Sequence, residues 1–523
     1  MAYLDLLAPE LVVAVGAMVV LLMGVATKRS WRDAAAGLAL LVLLGAFALA
    51  IRTAPDGQWL GGVRIGWLAW ITRLVGLAVS ALLLLVAWHL PASRQRGEFF
   101  AMLMFSTLGV LLVGAADDLL LLFLALELVS VPTYVLVVMG RNHLRAEEAG
   151  VKYFFLGAMA AAMTVYGFSF LYGICGSTNL THVSAAVAQR GLTDPLVIVG
   201  LTLSVAGMAF KIAAVPLHFY AADVYQGAAA PVTGMLGFLP KMAGMVALIK
   251  LVALSGWPLV GAPFWLLWVV AATTMTVGNV LALLQRNVKR MLAYSSIAHS
   301  GYMLIGLLVG PRGGEPMRDG VTAMLFYISV YAVMNLGAFA VLAYLKIRGQ
   351  EAEDLDDIAG LARRDGVAAL ILAVCVFGLM GMPPTGGFLA KVYVFGSALA
   401  TDRPAMIALA VIAVINSAIA AAYYLRIVGA CYLAQPVGEA SSQPAFSLKV
   451  GLALCGLLVL ALGIGPQNLM RCVSQASRDL RTVGSYQHPA LVQNVDQGPY
   501  LADAHKNGDE PAGLSVRRLT TRP

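Results

Sequence analysis

The sequence predicts an all-α polytopic membrane protein with about fourteen transmembrane helices, and three observations support this fold class. First, the chain of 523 residues is 60% hydrophobic and 12% charged, whereas soluble proteins are about 25% charged. Second, apolar runs long enough to cross a bilayer recur from Leu7 to Gly465. Third, most Lys and Arg residues lie in short connections between these runs. The composition therefore excludes a soluble globular enzyme, a disordered chain and a nucleic-acid-binding protein.

A spanning helix needs about 20 mainly apolar residues. This criterion marks runs near 8–26, 34–51, 67–90, 99–115, 118–139, 150–173, 195–222, 231–254, 264–284, 290–309, 320–345, 367–398, 405–433 and 448–465. The runs are apolar all round and do not alternate every second residue, which favours buried or lipid-facing helices over the strands of a barrel.

The cations of alternate connections predict the direction of the spans. One side collects Lys28/Arg29/Arg32, Arg94/Arg96, Arg141/Arg145/Lys152, Arg286/Lys289/Arg290, Lys346/Arg348/Arg363/Arg364 and Lys449. By the positive-inside rule this side is the cytoplasm of a bacterial cell, so the chain is a multi-pass protein of the inner membrane with both termini outside. Asp5 and Glu10 replace the basic start of a secretory signal, which disfavours cleavage of the first run.

The order of the runs suggests five units. We expect three N-terminal transmembrane helices in 1–98, a first five-helix repeat in 99–255, a second in 256–433, a last transmembrane helix in 434–473 and a polar, disordered tail in 474–523. The five Cys lie far apart without a C-x-x-C pair, and the glycine-rich phosphate-binding motifs are absent. We therefore predict no metal and no cofactor in this chain.

Four charged residues lie inside apolar runs rather than in connections: Glu127, Lys211, Lys241 and Lys391. A charge at the centre of a spanning helix costs about 2.5–3.5 kcal/mol, so such a residue faces a partner or water within the bundle. A structural ion pair or snorkelling would explain any one of them. Four residues of mixed sign favour a path for protons or ions, because neighbouring acids and amines titrate together.

Prolines predict that two of these helices are broken. Pro216 follows Lys211 by five positions, and Pro383 and Pro384 precede Lys391 in the twelfth run. Interior proline removes a backbone hydrogen bond, and transporters place their sites at such breaks, although a packing kink without function is the alternative. Lys211 and Lys391 are separated by five helices, which reverses direction and suggests two repeats of inverted topology.

Three further residues are candidates for secondary proton relay. His218 lies about two helical turns beyond Lys211, and His299 lies in the polar segment AYSSIAHSGY of the tenth run. Each histidine could equally be a hydrogen-bonding residue without a relay role. Lys152 opens the sixth run and could continue the path, whereas Lys250, at a helix end, is expected to snorkel.

The segments that contain these residues carry a family likeness. The stretch PLHFYAADVYQGAAAPVTGMLGFLPKMAG, together with LFLALELVSVP, AYSSIAHSGYMLIG and GMPPTGGFLAKVYVF, resembles the subunit N family of NADH:quinone oxidoreductase, respiratory complex I. The resemblance covers about residues 5 to 470, and Lys391 favours the N family over its antiporter-like paralogues. It implies fourteen transmembrane helices with two inverted five-helix repeats and two discontinuous helices, the seventh and twelfth.

The resemblance also implies roles. Glu127 and Lys211 would form the coupling pair, Lys241 the central proton carrier and Lys391 the connection to the outer side or to the next subunit, with Lys152, His218 and His299 in secondary positions. NADH, flavin, iron-sulfur clusters and quinone would belong to partner subunits of the membrane-embedded complex, which include antiporter-like paralogues.

Three functions fit these expectations. The main hypothesis is a proton-translocating subunit of a redox-driven complex. The second is a subunit of a multi-subunit cation/proton antiporter, which would carry the same buried Glu and Lys. The third is a scaffold that no longer pumps, in which replacing Lys241 would change neither pumping nor quinone reduction.

Overall fold

The computed structural model describes residues 6–26, 28–53, 55, 57–141, 143–347, 350–436, 440–442 and 445–484. Within these residues, twelve helical stretches are long and apolar enough to cross a membrane. Two further spans, the seventh and the twelfth, are each built from two shorter helices, which brings the number of spans to the predicted fourteen. The predictions of an all-α membrane fold and of breaks in the seventh and twelfth helices are therefore confirmed.

The first four spans precede or open the first repeat. They are α1 (Ala8–Val25), α2 (Arg29–Arg52), α3 (Trp67–Ala87) and α4 (Arg96–Ala115). Strands β1 (Gln58–Leu60) and β2 (Val63–Ile65) form an antiparallel hairpin between α2 and α3.

The fifth to eighth spans complete the first repeat. They comprise α5 (Leu119–Met139), α6 (Leu144–Cys175), the discontinuous pair α8 (Pro195–Lys211) and α9 (Ala221–Gly227), and the pair α10 (Ala230–Leu236) and α11 (Leu239–Ala253). A short helix, α7 (Leu180–Arg190), lies between α6 and α8. The interruption between α10 and α11 was not predicted from the sequence.

The remaining spans form the second repeat and the last transmembrane helix. They are α12 (Gly261–Leu283), α13 (Val288–Val309), α14 (Gly320–Tyr344), the discontinuous pair α16 (Gly366–Met380) and α17 (Gly386–Leu399), α18 (Pro404–Tyr432) and α19 (Phe446–Ile464). Between α14 and α16 lie β3 (Leu345–Ile347), β4 (Gln350–Glu351) and α15 (Leu361–Arg364). Strand β5 (Ala440–Ser442) pairs with β3, and α20 (Gln467–Gly484) ends the described chain.

Side-chain caps explain where several of these helices begin. The side-chain oxygen of each capping residue accepts a hydrogen bond from a backbone N–H of the first turn, which would otherwise lack a partner in the helix. The capping residues are Asp118 for α5, Asp194 for α8, Asn287 for α13, Asp319 for α14 and Asp365 for α16. These capping residues therefore fix the positions at which the helices begin after short connections.

The centre of the bundle is α14, in which every residue is buried. At the periphery, α2, α6, α12 and α18 expose large apolar side chains such as Leu41, Phe155 and Val414. This distribution is the one expected where helices face lipid or partner subunits instead of water.

Matching contacts relate the two repeats. Asp118, which caps the fifth span, forms a β-bridge with Asn179. Asn287, which caps the tenth span, forms the equivalent bridge with Asp354. The two bridges lie five spans apart, at opposite ends of the bundle, as an inverted repeat requires. The predicted boundaries between the first four units stay predictions.

A buried ionic cluster joins the connections of one side. Glu351, in β4, accepts hydrogen bonds from the backbone N–H of Ala230 at 2.8 Å, from Lys289 at 3.2 Å and from Arg141 at 3.2 Å. Burial raises the pKa of this carboxyl, but the surrounding cations, led by Lys289 and Arg141, bring the pKa below its usual value. We call this the cation-rich side and the opposite one the cation-poor side.

The C-terminal helix α20 corrects one prediction. The polar tail was expected to begin at residue 474, but residues 474–484 continue this helix, and 485–523 lie outside the described residues. Val473 and Ala476 are buried while Arg471 and Arg478 are exposed. The apolar-run criterion missed this pattern because α20 is amphipathic and lies against the bundle instead of crossing the membrane.

Polar contacts hold α20 on the cation-poor side. Asp479 pairs with Arg64 of β2 at 2.9 Å. Ser477 donates to the carboxylate of the buried Asp319 at 2.7 Å. The helix therefore links the connection before α3 to the connection before α14.

Candidate functional site

The first buried charge pair joins α5 to the end of α8. The ammonium of Lys211 lies 2.9 Å from a carboxylate oxygen of Glu127 and also donates to the hydroxyl of Ser130, one turn further along α5. The Lys211 side chain is 4% exposed and that of Glu127 is 23% exposed. Lys211 is the last residue of α8, where unpaired backbone carbonyls favour a cation. The break in the seventh span thus positions the ammonium as well as interrupting the helix.

The second buried ammonium belongs to Lys241, in the first turn of α11. It donates to the backbone carbonyl of Ser296 and, at 2.8 Å, to the hydroxyl of Ser300, and it lies 5.8 Å from the ring centre of Tyr331. Lys241 is 2% exposed, and no carboxylate among the described residues forms an ion pair with it. The positive end of a helix is unfavourable for a cation, so Lys241 occupies a very different electrostatic setting from Lys211.

A hydrogen-bonded serine links Lys241 to the backbone beside Lys211. Ser300 accepts from Lys241 and donates at 2.6 Å to the carbonyl of Ile212, the residue that follows Lys211. Ser300 belongs to α13, in the second repeat. A serine of the second repeat therefore bridges the Lys241 ammonium and the backbone at the break of the seventh span.

His299 lies between Lys241 and Lys391. Its Nδ1 is 2.7 Å from the hydroxyl of Tyr327 and its Nε2 is 3.0 Å from the hydroxyl of Tyr424. Its ring centre is 4.9 Å from that of Tyr331, the residue under Lys241, and 5.9 Å from that of Tyr302.

Lys391 occupies the break of the twelfth span. Its ammonium donates at 2.7 Å to the carbonyl of Met380, the last residue of α16, and at 2.8 Å to the hydroxyl of Ser417. It also lies 5.2 Å from the ring centre of Tyr302, within the range of a cation–π interaction. Lys211 and Lys391 thus each lie at the carbonyl end of a broken helix.

A polar network beside Lys391 was missed by the sequence analysis. The amide of Asn279 donates to the hydroxyl of Tyr302 at 3.0 Å and to Asn416 at 3.2 Å, and it accepts from the hydroxyl of Tyr423 at 3.0 Å. Asn279 is fully buried. The signal available was a single amide in the apolar run 264–284, and uncharged polar residues are common in membrane helices.

The structure brings Glu127, Lys211, Lys241, His299 and Lys391 into one series and places the other two candidates beside it. His218 lies in the break between α8 and α9, is 7% exposed, and its Nδ1 is buried without a hydrogen-bond partner. Lys152 is 43% exposed.

Lys152 belongs to a surface ionic cluster. It pairs with Glu148 at 2.7 Å and with Asp223 at 3.1 Å, and Asp223 also pairs with Arg290 at 2.7 Å. Lys152, Glu148 and Asp223 border a cavity of about 170 Å³ on the cation-rich side. No hydrogen bond between described residues joins Lys152 to the buried series.

Two other buried charges were not recognised from the sequence. Arg73 of α3 binds both carboxylate oxygens of Glu10, at 2.6 and 2.9 Å, and Arg73 is fully buried. Arg73 lies near the start of the third run and was overlooked as a charge inside a span. The pair joins α1 to α3, which indicates a structural role.

Within the described residues, no three His, Cys, Asp or Glu side chains are grouped closely enough to hold a metal ion. The chemistry available in the site is proton transfer among amines, imidazole, carboxylate and hydroxyl groups.

Inverted repeats, broken helices and charged residues at the breaks define a polytopic membrane protein with the architecture found in secondary transporters. Residues 116–419, more than half of the chain, match the family described as "NADH:quinone oxidoreductase/Mrp antiporter, TM". The chain belongs to this family.

Individual relatives agree with this assignment. The chain is 37% identical over 464 residues to NADH-quinone oxidoreductase subunit N 1 of Rhizobium meliloti, covering 88% of this chain and 94% of the relative. A chain of respiratory complex I from Thermus thermophilus superposes with a TM-score of 0.75 at 30% identity, covering 89% of this chain and 99% of that one. A chain of the Mrp complex from Dietzia superposes with a TM-score of 0.80 at 22% identity, covering 94% and 99%, and therefore shares the fold.

Proposed function

We propose that this chain is the proton-translocating membrane subunit of an NADH:quinone oxidoreductase and couples electron transfer in other subunits to proton pumping. The observation that carries the proposal is the buried series from Glu127 to Lys391, which runs through both repeats. The 37% identity to a relative named subunit N supports the assignment to this complex. The chain itself performs no redox chemistry.

The proposed surroundings follow from this assignment. NADH, flavin, iron-sulfur clusters and quinone are bound by partner subunits, and neighbouring membrane-arm subunits include antiporter-like paralogues. The cation-rich side faces the cytoplasm of a bacterium, by the positive-inside rule, and both termini lie on the outer side of the inner membrane.

The coupling step is assigned to Glu127 and Lys211. At 2.9 Å the carboxylate stabilises the ammonium. When a change in the neighbouring subunit withdraws or neutralises Glu127, Lys211 is left as an uncompensated buried cation and releases its proton. The pair thereby converts a displacement of charge into a proton transfer.

The later proton transfers use Lys241, His299 and Lys391, whose side chains have no carboxylate partner among the described residues. Lys241 receives the proton through water in the break beside Ser300, and its contact with Ser296 and Ser300 holds the ammonium beside His299. His299 can accept and donate a proton through its two ring nitrogens. Lys391 takes the proton at the second break and passes it to the outer side or to the next subunit.

His218 and Lys152 are proposed as secondary relay residues. The unpartnered Nδ1 of His218 lies in the same break as Lys211, within reach of rearrangements there. Lys152 borders the polar cavity on the cation-rich side, where protons can enter from water.

Purification of the complex followed by mass spectrometry of its subunits tests the assignment. Copurifying flavin and iron-sulfur subunits would support it, and small membrane antiporter subunits without redox partners would favour the cation/proton antiporter.

Replacement of Lys241 tests the role of the chain. Lys241→Met in the intact complex is expected to lower both proton pumping and quinone reduction, whereas the exposed Lys449→Met should behave as wild type. Unchanged pumping and quinone reduction in Lys241→Met would instead support the hypothesis that the chain is a scaffold that does not pump.

A further inference from the structure

Lys250 holds the outer end of the first helix of the first repeat. Lys250 is near the end of α11, and its ammonium donates at 2.8 Å to the carbonyl of Gly114 and also to the carbonyl of Ala116. These carbonyls end α4, where a cation is favoured. The predicted snorkelling residue therefore contacts protein carbonyls.

The second repeat contains the mirrored contact. Arg426 of α18 donates at 2.8 Å to the carbonyl of Leu283 and at 3.2 Å to the carbonyl of Gln285, at the end of α12. In both repeats, the last helix thus places a cation on two carbonyls, two residues apart, at the end of the first helix. Inverted topology puts the lysine at the outer end and the arginine at the inner end of the bundle.

The two cations differ in their ability to lose a proton. The ammonium of a lysine can act as an acid, whereas the guanidinium of an arginine stays charged in proteins. If the only role of these cations were to bind the helix-end carbonyls, an arginine would be suitable at both ends of the bundle.

The residue next to each pair of carbonyls also differs in its ability to exchange a proton. Asp117, which follows Ala116 in the α4–α5 connection, is 5% exposed, and its Oδ2 is buried without a hydrogen-bond partner. Burial raises the pKa of Asp117 to about 6, against the opposing effect of the Lys250 ammonium and the Arg64 guanidinium. The residue after Gln285 in the second repeat is Arg286, another fixed charge.

Groups on either side of this pair continue toward the buried series and toward water. On the inner side, Ser106 donates to the carbonyl of Val129, the neighbour of Ser130, and Thr107 donates at 2.8 Å to Ser80, all in buried positions. On the outer side, the partly exposed pair of Arg64 and Asp479 lies at the surface of the bundle. Hydroxyl groups can both accept and donate protons, so the α3–α4 interface can conduct them with intervening water.

We propose that Lys250 and Asp117 form a proton-release site at the outer end of the first repeat. An N–H bond of the Lys250 ammonium breaks and its proton passes to an intervening water, which gives a proton to Oδ2 of Asp117 to form an O–H bond. Asp117 then releases that proton to water beside Arg64. Neutral Lys250 is reprotonated from the Glu127–Lys211 pair through the hydroxyls of α4 and intervening water. The inference rests on the proposed function and adds an outlet to it.

Exchange of the two mirrored cations tests this site in the purified complex reconstituted in vesicles. Lys250→Arg preserves a cation on the α4 carbonyls but cannot release a proton, and we expect proton pumping per NADH oxidised to fall at least severalfold. The matched control Arg426→Lys preserves the cation of the other repeat, and its pumping should equal that of the wild type. Wild-type pumping in Lys250→Arg, or equal loss in both exchanges, would overturn the proposal.

Asp117→Asn provides a second variant of nearly unchanged shape if Lys250→Arg fails to assemble. It should lower pumping in the same way, and wild-type pumping would again refute the release site. Lys241→Met, measured in parallel, separates the two proposals. Normal pumping in Lys241→Met contradicts the proposed function, whereas loss in Lys241→Met with normal pumping in Lys250→Arg and Asp117→Asn contradicts only the release site.

Discussion

Replacing Glu127 by Gln removes one charge from the coupling pair while keeping the size of the side chain. The ammonium of Lys211 lies 2.9 Å from the carboxylate, which at an effective dielectric constant of about 20 corresponds to an attraction of about 6 kcal/mol. Each 1.4 kcal/mol that the variant adds to the barrier of the limiting step slows that step about tenfold. If only a quarter of the attraction is used to drive proton transfer, coupled turnover of Glu127→Gln falls about tenfold.

The assay uses the purified complex in vesicles, with NADH-driven quinone reduction and proton uptake recorded together. Assembly should be normal, because the Gln amide oxygen can still accept from Lys211. Glu315→Gln is the matched control, since the side chain of Glu315 is 63% exposed and pairs only with the surface residue Arg318 among the described ion pairs. Wild-type pumping rates in assembled Glu127→Gln complex would refute the assignment of the coupling pair.

Three other predictions concern stability, pH and uptake. Arg73→Met leaves Glu10 as an unpaired buried carboxylate, so we expect a loss of about 3–5 kcal/mol in stability, measured as a lower melting temperature. The double variant with Glu10→Met should partly restore the melting temperature, and an unchanged melting temperature in the single variant would contradict this prediction. The lowered pKa of Glu351 stabilises the fold above the unfolded pKa of about 4.3, and the effect is lost as the pH falls through the folded pKa, so Glu351→Gln should flatten the acid side of a melting-temperature profile. Lys152→Met removes partly exposed ion pairs worth about 1 kcal/mol and should slow pumping by no more than about fivefold; a loss as large as that of Lys241→Met would make Lys152 an essential carrier.

Most of the fold could be predicted from the sequence because hydropathy is a local property. Each span satisfies the requirement of the bilayer by itself, so its length and apolar content can be counted along the chain. The two broken spans could be predicted for the same reason, since Pro216 and Pro383–Pro384 act on their own helices. The helix α20 was missed because its apolar residues form one face instead of a continuous run.

The candidate site was only partly accessible from the sequence. Charges inside apolar runs identified Glu127, Lys211, Lys241 and Lys391, because a lone charge in a span is costly wherever it lies. The tyrosines that contact His299, the Asn279 network and the bonding of Lys250 to the end of α4 were not predicted. Polar but uncharged groups are common in apolar helices, so nothing in the pattern distinguishes those that meet at the site.

The sequence by itself determined that the protein lies in a membrane, how many times the chain crosses it and which residues carry charge into it. Only the tertiary structure decided the partners of those charges: Lys211 has a carboxylate 84 positions away in the chain, while Lys241 has hydroxyl and carbonyl groups instead. It also decided that a lysine and an arginine hold equivalent carbonyls at opposite ends of the bundle. The cost of burying a charge depends on the residue and its depth, but the energy that compensates for it depends on distances of a few ångströms, which are set by how the helices pack.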